Sequence, residues 1–91
     1  MRATIKLPAN MRGLADDKAT HEIDAETVGD AFETLCEQFP ELQPRLLDAK
    51  GEVLSFVNVF VGSKNLRELD GGDTLLTGNT EILIVAALAG G

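Results

Sequence analysis

From Thr27 to Phe39 the chain carries one helix-length apolar stripe. Ala31, Phe32, Leu35, Cys36 and Phe39 fall at offsets of 3, 4, 7, 8 and 11 from Val28. Those offsets line one face of a helix, and Asp30, Glu33, Thr34, Glu37 and Gln38 take the solvent side. Thr27 is suited to the N-cap, with Asp30 three residues on in the acid position of a capping box. Pro40 ends the helix. The rest of the fold must be built around this element.

The flanking segments alternate with period two. Ala3, Ile5 and Leu7 interleave with Arg2, Thr4 and Lys6, and Ala19, His21 and Ile23 with Thr20, Glu22 and Asp24. These read as two half-buried strands forming an antiparallel pair, joined by a loop from Pro8 to about Lys18. Glu41 to Leu47 is expected to add a short helical turn interrupted by Pro44, and Asp48-Ala49-Lys50-Gly51 a turn. Phe56 to Val61 reads as a central strand. Gly62-Ser63-Lys64-Asn65 is hairpin chemistry, with a short strand expected around Leu66 to Glu68. Glu81 to Val85 is the last strand, apolar enough for the middle of a sheet. The order β-β-α-(short α)-β-β-β implies an α+β fold of the β-grasp type, a ubiquitin-like roll with a mixed sheet on one main helix. A right-handed crossover then sets the last strand beside the first.

Ninety-one residues make one domain, which buries only about 60–65% of the surface its unfolded chain exposes. The net charge of −7 argues against nucleic acid and anionic membranes and is compatible with docking onto a basic protein. One cysteine and one histidine leave almost no first-row metal site. Cys36 sits on the helix's apolar face and reads as a buried structural residue. His21 reads as a partly buried edge residue with no identifiable partner. Glu33, Glu37 and Glu41 read as a solvated face. There is no leader-like start, and Ile82 to Ala89 is too short to span a membrane, so the cytoplasm is expected.

The end of the chain carries the chemical information. After Glu81 no side chain is charged, and the sequence closes on Leu88-Ala89-Gly90-Gly91. Glycines without Cβ can thread a narrow channel. The terminal carboxylate is the one reactive group such a tail delivers, and it becomes an acyl donor once adenylated. No trimming is expected, because Gly-Gly already stands at the end. We therefore divide the chain into a β-grasp domain, residues 1–85, and a flexible tail, residues 86–91. The alternation in Phe56 to Val61 puts Val57, Val59 and Val61 on one side and Phe56, Asn58 and Phe60 on the other. With one helix covering one side, the valines are expected in the core. Phe60, Leu83 and Val85 are expected to face outward as a docking patch near the tail.

These residues resemble the ubiquitin-like sulfur carriers, the MoaD/ThiS family, over essentially the whole chain. The points of likeness are Phe56-Val57-Asn58-Val59-Phe60-Val61, the Gly78-Asn79 turn and Leu88-Ala89-Gly90-Gly91. Pro44-Arg45-Leu46-Leu47-Asp48, Gly51 and Phe56-Val57-Asn58-Val59 look closest to the thiocarboxylate carrier of cysteine biosynthesis. Many molybdopterin-synthase small subunits have Pro-Pro where this chain has Ala86-Ala87. The resemblance implies a cycle. An E1-like enzyme using ATP and Mg²⁺ adenylates the Gly91 carboxylate, and a sulfur donor converts it to a thiocarboxylate. The carrier then inserts Gly90, Ala89 and Leu88 into a sulfur-accepting enzyme, cysteine synthase-like or the molybdopterin synthase large subunit. It binds no cofactor of its own and is a cosubstrate rather than an enzyme. The alternative is a ubiquitin-like modifier joined through Gly91 to lysines. A third reading is a plain interaction domain with an incidental tail.

Overall fold

In the computed structural model, residues 2–86 are described. The chain runs β1 (Arg2–Lys6), α1 (Ala9–Arg12), β2 (Thr20–Asp24) and α2 (Val28–Gln38), then a 3₁₀ turn (Pro40–Leu42) and α3 (Gln43–Leu46). It continues through β3 (Val57–Val61), β4 (Lys64–Asn65), 3₁₀ turns at Leu66–Glu68 and Gly71–Asp73, and β5 (Thr80–Ala86). The five strands form one mixed sheet in the order β2-β1-β5-β3-β4. β1 pairs antiparallel with β2 and parallel with β5, and β5 pairs antiparallel with β3. This is the expected β-grasp arrangement, with the last strand beside the first.

α2 forms where the periodicity placed it. The backbone N–H of Asp30 donates to Thr27 Oγ1 at 3.1 Å, which satisfies one of the helix's free first-turn donors. Val28, Ala31, Phe32, Leu35 and Cys36 are buried in the same cluster as Ala3, Ile5, Val57, Val59, Ile82 and Ile84. The core therefore lies between α2 and one face of the sheet, and the other face leaves Leu83 and Val85 exposed.

Five local expectations are corrected. The stretch after Pro8 is not all loop: α1 buries Met11, and Arg12 Nε donates to the Leu7 carbonyl at 3.1 Å. Pro44 stands in the first turn of α3 and so begins that helix rather than interrupting it. The strand expected at Leu66 to Glu68 is a 3₁₀ turn, because Asn65 Oδ1 accepts the Arg67 N–H at 2.9 Å and offers the backbone a helical start. β3 is not the centre of the sheet. It lies between β5 and the two-residue β4, and β5 is the central strand. Phe56 falls just outside β3, since the Val57 N–H donates to the Leu54 carbonyl at 3.0 Å and closes a turn.

Candidate functional site

β5 decides what the open face of the sheet presents. Its inward residues Ile82 and Ile84 are fully enclosed, whereas Leu83 is 37% and Val85 40% exposed. Register then fixes their neighbours. Leu83 stands between Lys6 on β1 and Phe60 on β3, and Val85 stands opposite Asn58. Val57 and Val59 are buried, as the alternation requires, while Phe60 is half-buried beside Leu83. The structure thus brings Phe60, Leu83 and Val85 together on the face that α2 does not cover.

Charge borders this apolar strip on its β1 side. Lys6 Nζ lies 3.2 Å from Glu81 Oε2, and Arg2 Nη1 lies 3.2 Å from Glu22 Oε1. Both pairs are well exposed and contribute at most about 1 kcal/mol each. Their use is to give the rim a defined pattern of charge.

On the β3 side the border is Asn58, whose Oδ1 accepts from Arg67 Nη1 at 2.8 Å. Phe56, 49% exposed, sits in the preceding turn. Sequence reasoning put Phe56 on the outward side of a strand but gave Arg67 no role. The signal for Arg67 was indirect: an irregular segment before a strand leaves carbonyls in need of donors.

The titratable candidates do not assemble into a catalytic group. Cys36 is buried, and that burial pushes its thiol up from the ordinary range. His21 is half-buried, its ring edge-on to Phe39 at 5.2 Å between centroids, and its Nε2 has no hydrogen-bond partner. Glu33, Glu37 and Glu41 are exposed. Among the described residues no group of His, Cys, Asp or Glu could hold a metal ion, and no helix is long and apolar enough to cross a membrane. What the described residues offer is an apolar strip on the central strand, whose last rung pairs Ala86 with Val57. Leu88, Ala89, Gly90 and Gly91, the expected reactive tail, lie outside the described residues.

Comparison with known proteins gives a consistent picture. The profile of the ThiS family matches residues 5–91. A candidate sulfur carrier protein of Archaeoglobus fulgidus is 30% identical over 93 aligned positions, covering 100% of both chains. The sulfur carrier protein CysO of Mycobacterium tuberculosis is 25% identical with the same coverage. Among solved structures, a chain of the Amycolatopsis orientalis BexX/CysO complex superposes with a TM-score of 0.89 at 21% identity, covering 98% of this chain and 99% of that one. The small archaeal modifier protein 1 of Methanosarcina acetivorans gives a TM-score of 0.83 at 29% identity, covering 99% and 96%.

Proposed function

Because this chain belongs to the ThiS family of small sulfur carrier proteins, we propose that its chemistry resides on the carboxylate of Gly91. The observation that carries this reading is the full-length match to a sulfur carrier at 30% identity. The geometry supports it: the central strand is paired as far as Ala86, the last described residue, and its outward residues Leu83 and Val85 lie beside that position in an apolar strip. The carboxylate oxygen attacks the α-phosphorus of ATP in the site of an E1-like activating enzyme, with Mg²⁺ held there, and pyrophosphate leaves. Hydrosulfide then attacks the glycyl carbonyl carbon and AMP leaves, giving a thiocarboxylate and a proton. Nothing bulky flanks that carbon, since the two last residues are glycines.

The domain's part is to be gripped. Phe60, Leu83 and Val85 dock on the activating enzyme and then on the sulfur-accepting enzyme, while Leu88, Ala89 and Gly90 enter the active site. The likeness to the carrier of cysteine biosynthesis, together with the match to CysO, favours a cysteine synthase-like acceptor, with the molybdopterin synthase large subunit next. The carrier works in the cytoplasm, where ATP is at hand.

A second reading rests on the 29% identity to a small archaeal modifier protein. In that reading a lysine amine replaces sulfide as the nucleophile, and the product is an isopeptide. Pyrophosphate release by the cognate activating enzyme tests the shared step. The full chain supports turnover and a chain lacking Gly91 does not; turnover by the shortened chain overturns the reading. Lysines bearing a Gly-Gly remnant on other proteins, with no thiocarboxylate formed, favour the modifier.

A further inference from the structure

Arg67 organises the backbone opposite the last described rungs of β5. It lies in the turn Leu66–Glu68, where its own N–H is held by Asn65 Oδ1. Its guanidinium reaches back to the segment entering β3. Nη1 donates to Asn58 Oδ1 at 2.8 Å. Nη2 shares its two N–H bonds among the carbonyls of Ser55 at 3.0 Å, Val57 at 3.1 Å and Leu54 at 3.4 Å. A guanidinium is a rigid planar fork of donors, so it fixes the relative placement of these oxygens as a flexible ammonium cannot.

The residues so clamped are partners of the end of β5. Asn58 stands opposite Val85, and Val57 opposite Ala86 in the last rung of the ladder. After that rung the sequence runs Ala87-Leu88-Ala89-Gly90-Gly91. Strand ends fray unless tied down. How long the last rung holds depends on the stiffness of β3 at its entry, and that entry is an irregular turn rather than a strand.

We propose that Arg67 is a positioning residue for the carrier chemistry: by holding residues 54–58 it keeps the final rungs of β5 closed and so fixes the point from which the tail is presented to an enzyme. The inference rests on the carrier reading above. A frayed end lengthens the tether between the docked domain and the Gly91 carboxylate, which lowers the fraction of time the carboxylate spends in attack geometry. Of the docking residues, Phe60 and Leu83 pair with one another before the clamped rungs, whereas Val85 lies within them. The loss should therefore fall more heavily on kcat than on KM.

The test compares wild type with R67A, R67K and N58A in the full chain, by steady-state pyrophosphate release and by amide hydrogen exchange. R67A should lower kcat by about tenfold or more with KM raised by a smaller factor, and should speed exchange at residues 54–58 and 84–86 selectively. R67K, which keeps the charge but lacks the fork, should not rescue. N58A removes one acceptor, leaves the rest of the clamp in place, and should give a smaller change of the same kind; it decides the matter if R67A does not fold. Unchanged kcat in N58A and R67A, full rescue by lysine, or exchange that rises uniformly over the domain overturns the role of Arg67 and leaves the carrier reading standing. Failure of the wild-type chain to turn over overturns the carrier reading, and this role with it.

Discussion

Gly29 and Gly72 meet backbone to backbone: a Cβ added to Gly29 would lie 2.9 Å from the Gly72 carbonyl oxygen. The approach is held from both sides, since the Val28 N–H donates to the Thr74 carbonyl at 3.0 Å and the Leu76 N–H to the Glu26 carbonyl at 2.9 Å. The start of α2 is thereby fastened to the loop that leads into β5. Gly29→Ala must push the two backbones apart, and we expect it to cost about 1–3 kcal/mol. Urea denaturation checks this, with Gly62→Asn as a control. Gly62 has a φ of 64° and open space around it, a conformation asparagine accepts, so the control should keep its midpoint.

The outward strip predicts a separation of binding from stability. Leu83→Asp and Val85→Asp add a charge at sites already 37% and 40% exposed, so each should change stability by no more than about 1 kcal/mol. Each should weaken binding to the activating enzyme by about tenfold or more, because a buried charge at an interface centre is left unpaired. Phe60→Asp should do the same with a larger stability cost, its ring being half-buried against Leu83. Calorimetric titration beside thermal melts reads both quantities. Unchanged affinity in folded variants rules out this face as the docking surface.

Cys36 gives a pH dependence with a definite sign. Burial raises its folded-state pKa above the unfolded value. Between the two values the folded chain holds a proton that the unfolded chain has lost, so stability is whole below the unfolded pKa and declines as pH rises through that window. Cys36→Ala should flatten the decline. In the native protein at neutral pH the thiol should react with iodoacetamide far more slowly than in denaturant.

The elements legible in the sequence were those with a long periodic signal. α2 showed itself through its stripe and its Thr27 cap, and β5 through an apolar run bounded by Gly78-Asn79 and followed by small residues. The outward set Phe60, Leu83 and Val85 followed from alternation plus a single covering helix. What was not legible depends on side chains satisfying local backbone. Asn65 turns Leu66–Glu68 into a 3₁₀ helix, and Arg12 reaches the Leu7 carbonyl beneath α1. Arg67 gathers the carbonyls of Leu54, Ser55 and Val57, more than nine positions away, and leaves no periodic trace. Phe56 looked like the first residue of a strand because its composition is strand-like, and only the Leu54–Val57 turn excludes it.

Sulfur on the carboxylate of Gly91 is read by intact-mass spectrometry of the protein after incubation with ATP, Mg²⁺, hydrosulfide and its activating enzyme. We expect a gain equal to the replacement of one oxygen by sulfur, confined to the C-terminal peptide and absent from a chain lacking Gly91. An unchanged mass under conditions where the enzyme activates its other substrates, or the same gain in the shortened chain, overturns the assignment of the chemistry to Gly91.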